Sequence, residues 1–132
     1  MFIAVLRMSA SDEQLDVATS TLGLCVDARW KEGEPRHLGG RPNSSSGLNA
    51  TLADAASAED MVRGVSAFAQ RCKDRKVSFA SHATSAVIDV GLGVETLAPA
   101  SVVFSDEQLA LLASIHINLQ ISAYPVSVES DA

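Results

Sequence analysis

The chain of 132 residues is 47% hydrophobic and 20% charged, with a formal net charge of -6. That is the size of one domain able to bury its own core, with the composition of an ordinary soluble globular protein. Only five apolar residues precede Arg7, with no basic region ahead of them, which is too little for a signal peptide, and no run approaches the roughly 20 apolar residues of a membrane span. A cytoplasmic location without membrane contact is the expectation. All ten Lys and Arg fall between Arg7 and Lys76, where acidic residues balance them; the net charge therefore resides in Asp89, Glu95, Asp106, Glu107, Glu129 and Asp131. An acidic half argues against nucleic acid, whose binders need cations to displace counterions from phosphates, and suits a basic protein partner better.

In chain order, Phe2 to Met8 is apolar except for Arg7 and predicts a central strand, with Phe2, Ala4, Leu6 and Met8 on one face and Ile3, Val5 and Arg7 on the other. Ser11-Asp12-Glu13-Gln14-Leu15 then opens a helix. Ser11 is a good N-cap, Gln14 stands where a capping box closes, and the two acids suit the positive end of the helix dipole. This helix, to about Leu22, aligns Leu15, Ala18 and Leu22. A second strand follows to about Trp30, with Leu24, Val26, Ala28 and Trp30 inward and Cys25, Asp27, Arg29 and Lys31 outward. From Lys31 to about Ala56, Gly33, Pro35, Gly39, Gly40, Pro42 and the Ser-rich run at 43–47 predict loop. Arg29, Lys31, Arg36 and Arg41 concentrate positive charge here, with His37 among them. Two readings stand for this segment: a mobile connector, or a loop that binds an anion or a partner.

Ser57 begins a third helix with Ala58, Met61, Val62, Val65, Phe68, Ala69 and Cys72 on one stripe and Arg71, Lys73, Arg75 and Lys76 at its end. Val77 to Ala83 fits either a short helical turn or a strand. Ala86, Ile88, Val90 and Leu92 alternate with Val87, Asp89 and Gly91 in the next strand. Gly93 to Ser101 reads as loop, followed by a short edge strand at Val102 to Phe104. Ser105-Asp106-Glu107-Gln108-Leu109 repeats the letters of the first cap, and Phe104 and Leu109 have the spacing of a hydrophobic staple. The helix it opens offers Leu109, Leu112 and Ile115. The last strand offers Ile117, Leu119, Ile121 and Ala123 inward and Asn118, Gln120, Ser122 and Tyr124 outward, up to Pro125. The tail, 126–132, is expected to fray.

Two strand-helix-strand units opened by the same cap predict an α+β fold, a ferredoxin-like two-layer sandwich in a single domain. Its core lies in residues 1–30 and 86–125, helices cover one face of a four-stranded antiparallel sheet, and a loop-helix insertion occupies 31–85. The inserted helix either covers the second sheet face or joins the helical layer. In the latter case the bare face carries Arg7, Cys25, Asp27, Arg29, Asp89, Asn118, Gln120 and Tyr124, a mixture suited to docking. Asp27 and Asp89 are the carboxylates a general acid–base pair would use, with ion pairing to Arg7 and Arg29 the simpler account. His37, His82 and His116 lack metal-ligand spacing, Cys25 and Cys72 read as packing thiols, and no nucleophile elbow is present. The sequence thus predicts no catalytic residue, no metal and no cofactor, and Tyr124 as the only aromatic on the outer face discounts RNA stacking.

Leu22-Gly23-Leu24, Trp30-Lys31-Glu32-Gly33-Glu34-Pro35, Ser46-Gly47-Leu48, the helix start at Ser105 to Leu109 and Ile121-Ser122-Ala123-Tyr124-Pro125 together resemble the bacterial domain of unknown function 4279 family, over roughly residues 7–124. The resemblance implies a small uncharacterised cytoplasmic protein and supplies no catalytic residues. Two functions follow as expectations. One is a non-catalytic protein-binding module, an acidic immunity- or inhibitor-type partner of a basic protein, with homodimer formation through the sheet face or an edge as a structural variant. The other is a small-ligand or anion-binding protein, or a weak enzyme, using the Lys31 to Gly47 loop. The candidate binding residues are Asp27, Arg29, Trp30, Lys31, Arg36, His37, Arg41, Asp89 and Tyr124.

Overall fold

A computed structural model describes residues 1–35, 37–83, 85–94 and 100–126. The elements run β1 (Phe2–Ser9), α1 (Asp12–Leu22), β2 (Val26–Trp30), β3 (Gly47–Ala55), α2 (Ala58–Asp74), α3 (Phe79–His82), β4 (Ser85–Val94), α4 (Asp106–Ser114) and β5 (Asn118–Pro125). The five strands form one open sheet in the order β2-β3-β1-β4-β5. All neighbours are antiparallel except β4 and β5, which run parallel and are joined through α4. The fold is α+β, as composition and periodicity predict.

Both repeated caps form. The Ser11 hydroxyl accepts from the Gln14 amide at 3.1 Å while the Ser11 amide donates to Gln14 Oε1 at 2.9 Å. Ser105 and Gln108 exchange the same two bonds at 3.1 and 2.8 Å. Each pair satisfies two amides that a helix start leaves without partners. The other ends close by a left-handed residue: Gly23 at φ 62°, Lys76 at φ 56° and His116 at φ 57°. After each, the next amide returns to a carbonyl five residues back, as in Leu24 to Thr19, Val77 to Cys72 and Ile117 to Leu112. Only α1 uses glycine, the residue without a Cβ penalty in that conformation. The end of α1 carries no basic residue. Arg71 and Arg75 of α2 supply it across space, donating to the carbonyls of Leu22 at 2.9 Å and Thr21 at 2.6 Å. The cationic end of α2 therefore serves a neighbouring helix as well as its own dipole.

The expected four-stranded antiparallel sheet, with residues 31–85 as a loop-helix insertion, is corrected by the strand pairing. Residues 47–55 of the anticipated loop are a nine-residue strand wedged between β2 and β1. Alanine-rich and preceded by a Ser/Gly run, this stretch has little intrinsic strand preference, and pairing on both sides imposes it. Residues 102–104 form no strand, so the fifth strand is β3. The expected loop at 93–101 begins later than predicted, since β4 runs through Val94; its residues 95–99, and the tail residues 127–132, lie outside the described residues.

Alternation along the strands sorts the side chains. Ala4, Leu6 and Met8, Leu48 and Ala50, and Ala86, Ile88, Val90 and Leu92 all point to one face, where they meet Leu15, Ala18 and Leu22 of α1, Met61, Val65, Phe68 and Cys72 of α2, and Leu112 of α4. Phe79 of α3 joins the same core, its ring 6.3 Å from that of Phe68. The inserted helix α2 thus belongs to the helical layer, and among the described residues no helix covers the second face. Cover thins along β5: Ile117 just before it is buried and Leu119 half-buried, but Ile121, beside core-facing Val90, is 54% exposed and Ala123 is exposed too; on α4, Leu109 is 46% exposed, so the expected burial of Ile121, Ala123 and Leu109 is corrected.

Two stability effects follow. Glycine at 76 or 116 relieves a left-handed Cβ, so Lys76→Gly and His116→Gly each raise stability by about 1 kcal/mol in urea unfolding. Conversely, a Cβ at Gly47 would lie 2.5 Å from the Trp30 ring and 2.8 Å from the Met8 carbonyl oxygen. Gly47→Ala therefore lowers stability by about 1–3 kcal/mol in the same measurement.

Candidate functional site

The uncovered sheet face is built by the odd-numbered side chains of β1 and β4 and by those paired with them. A bulge decides which part of β2 joins it. The register with β3 slips between Val26 and Ala28, so Val26 pairs with core-facing Ala50, whereas Ala28 pairs with Asn49 and Arg29 with core-facing Leu48. One extra residue exchanges the two faces of every position after it. The predicted inward positions of Ala28 and Trp30, and the outward position of Arg29, are corrected accordingly. Trp30 lies on the open side beside Gly47. Arg29 turns to the helical layer, where it pairs with Asp16 at 2.6 Å and Asp12 at 3.9 Å and ties β2 to the first turn of α1. Asp27 is the bulge residue, and its carboxylate accepts from the Thr51 amide and hydroxyl, both at 2.7 Å.

The centre of the open face is polar and ordered. Arg7 of β1 and Asp89 of β4 face it two positions apart, and Arg7 Nη2 lies 3.3 Å from Asp89 Oδ2. Ser122 of β5 donates its hydroxyl to the other carboxylate oxygen at 2.8 Å. The carboxylate is only 8% exposed while the guanidinium side chain is 48% exposed. The pair therefore hides its anion and presents its cation. Next to it Tyr124 lies across Gly91, its ring 3.2 Å from where a Cβ at Gly91 would stand. Arg7, Asp89 and Tyr124, with Ile3, Val5 and Gly91 between them, line a shallow cavity of about 160 Å³. Asn118 and Gln120 share the face along β5.

The predicted loop residues separate into two groups. Trp30, His37 and Arg41 come together around a second cavity of about 450 Å³, with Asn43, Ser44 and Ser45. Lys31 is on the other side of Trp30, in a neighbouring hollow with Asp12, Asp16, Arg29 and Glu34. Arg36 lies outside the described residues. Sequence reasoning missed the supporting residues: Ser122, Ile3, Val5 and Gly91 on the sheet, and Asn43, Ser44 and Ser45 in the loop. A glycine inside a strand was the one available signal, since it marks close approach of another group.

Other chemistry finds little support in the geometry. Asp27 and Asp89 stand on β2 and β4 with β3 and β1 between them, three strand spacings or roughly 14 Å, too far for two carboxylates to share a proton. Ser81 Oγ lies 3.1 Å from His82 Nδ1, but the same nitrogen is 2.8 Å from the Ser78 carbonyl, a bond local to the single turn of α3. Among the described residues, no group of three or more His, Cys, Asp or Glu is placed to hold a metal ion. No helix among them is long and apolar enough to cross a membrane. The chain matches no protein-family model, no curated protein and no solved structure.

The two thiols differ sharply. Cys25 is exposed, whereas Cys72 is buried in the core and burial pushes its thiol up to about 12. Thiolate is the reactive form, so at pH 8 only about one Cys72 in ten thousand would be ionised, even before access is considered. A disulfide reagent at pH 8 should therefore titrate one thiol, that of Cys25, in the folded protein and both in guanidinium chloride. Fast reaction of two thiols without denaturant would contradict this placement.

Proposed function

We propose that this protein is a non-catalytic binding protein whose open sheet face takes a small carboxylic acid. The observation that carries the reading is the arrangement at Arg7. The buried Asp89 carboxylate, held by the half-buried Ser122 on one oxygen, pairs through the other with Arg7 Nη2 at 3.3 Å, and the half-exposed guanidinium keeps donors for a ligand beside the aliphatic Ile3 and Val5. A guanidinium held by a carboxylate on one edge is pre-organised to receive a second carboxylate on the other, with little further loss of rotamer freedom. Ile3, Val5 and the Tyr124 ring offer an apolar wall to the remainder of the ligand, and the cavity volume of about 160 Å³ limits that remainder to a few heavy atoms.

The strand order supports reading β1-α1-β2-β3-α2-β4 as the ferredoxin-like unit, with α4 and β5 added on the β4 edge. In this reading the repeated cap marks α1 and an appended helix, rather than two equivalent halves. The resemblance to the domain of unknown function 4279 family transfers no catalytic residue. The competing idea, an acidic module for a basic protein, draws less support. Of the described acidic residues after Lys76, Asp89 is consumed by Arg7, and Asp106 and Glu107 occupy the first turn of α4.

The test is an NMR titration of labelled protein with short aliphatic and aromatic carboxylates and with the corresponding amides. Shifts should concentrate at Ile3, Val5, Asp89 and Gly91, the amides should be inert, and Arg7→Ala should weaken binding about tenfold or more, the loss of one charge-assisted pair. Absence of shifts at those residues with every acid would sink the proposal.

A further inference from the structure

The described residues of the loop between β2 and β3 form a hairpin-like arm. Its stem is held by Gly33 N donating to the Asn43 carbonyl at 2.9 Å, Asn43 N donating to the Glu34 carbonyl at 3.0 Å, and a bridge between Pro35 and Pro42. The Asn43 side-chain amide donates to the carbonyls of Lys31 at 3.1 Å and Glu34 at 2.5 Å, doing for the arm what an extra rung would do in a ladder. At the base the Glu32 amide donates to the buried Ser46 hydroxyl at 2.9 Å. At the tip the Gly40 amide donates to the His37 carbonyl at 3.0 Å, with Gly39 at φ 78° completing the turn. The His37 ring rests directly on Gly40, where a Cβ would come within 2.7 Å of it. The imidazole is therefore positioned by the absence of a side chain.

This arm holds a set of donors around the cavity of about 450 Å³. Arg41 contributes a guanidinium that makes no ion pair or hydrogen bond among the described residues, His37 an imidazole, Ser44 and Ser45 two hydroxyls, and Trp30 a ring wall. No described carboxylate lines it, in contrast to the neighbouring hollow with Asp12, Asp16 and Glu34. We infer that this arm is a second ligand site, for a phosphate group. A guanidinium, an imidazole and two hydroxyls around one hollow offer more donors than a planar carboxylate needs and suit a tetrahedral oxyanion, and a guanidinium without a carboxylate partner among the described residues is a common phosphate partner. The volume leaves room for an organic group beyond the phosphate, which would lie against Trp30. The inference is independent of the sheet-face reading, because the two cavities share no residue.

Trp30 is the only tryptophan in the chain and lines this cavity, so its emission responds to a ligand there, and the Arg41 variant separates that response from one in the neighbouring hollow, which Arg41 does not line. Its emission is followed while the protein is titrated with inorganic phosphate, with phenyl phosphate and with benzoate, each repeated by calorimetry. Saturable change with phenyl phosphate, weakened at least tenfold in Arg41→Ala and also in Gly40→Val, which displaces His37, supports the site. Equal affinity for inorganic phosphate would identify the free ion as ligand, and tighter binding of phenyl phosphate would identify the ester. Thermal unfolding of both variants without ligand separates lost binding from lost folding. If neither phosphate produces heat or changes emission, if Arg41→Ala binds as well as the parent, or if benzoate binds equally well, the inference is wrong.

Discussion

Strand β1 is hydrogen-bonded along both edges and buried on one face only, and the rest of the molecule is arranged around that asymmetry. Its Ala4, Leu6 and Met8 are essentially inaccessible under the helical layer, with α2 packed against the strand. Its Ile3, Val5 and Arg7 face the other way, with no helix among the described residues to cover them. A sheet face left in this state must make itself compatible with water or hold something. Here it does so by neutralising its only central cation with a carboxylate from β4 and by laying an aromatic ring over a glycine beside it. The site is thus a consequence of where the helices are.

The helices are placed by how their ends are satisfied as much as by their apolar stripes. Capping boxes close the starts of α1 and α4, and two arginines from α2 close the end of α1. Each arginine bond links residues about fifty positions apart, so it constrains the packing of the layer and not only the local helix. With α1 and α2 side by side over β3 and β1 and α4 packed on α2, no helix among the described residues lies on the opposite face.

Much of this was legible in the residues. Both Ser-Asp-Glu-Gln-Leu caps, the α2 stripe, the strand alternation in β1 and β4 and the outward row Asn118, Gln120, Ser122 and Tyr124 follow from local chemistry that the structure leaves intact. What was not legible depends on pairing. Residues 47–55 carry mostly alanine and small polar side chains and become a strand because partners flank them on both sides. The bulge at Asp27 shows only when β2 is set against β3; until then, simple alternation assigns Arg29 and Trp30 to the wrong faces. The site is legible to the same extent: Asp89 and Tyr124 could be placed on one face from parity alone, but their company with Gly91 and Ser122 requires the parallel register of β5 on β4.

The Arg7–Asp89 pair is hard to justify by stability. Removing a carboxylate from water costs several kcal/mol, and a buried ion pair rarely does better than apolar residues of the same size. A Val or Ile at both positions would extend the aliphatic strip of Ile3, Val5 and Val87 and leave a flat apolar face, prone to stick to any other sheet. The pair prevents that, but a pair of surface charges would do the same without burying Asp89. What burial adds is direction. A carboxylate held by Ser122 on one oxygen and facing Arg7 with the other keeps one orientation, which favours one placement of the guanidinium beside it. Fixed donors facing solvent over an apolar floor are what a binding site needs and what a merely soluble surface does not.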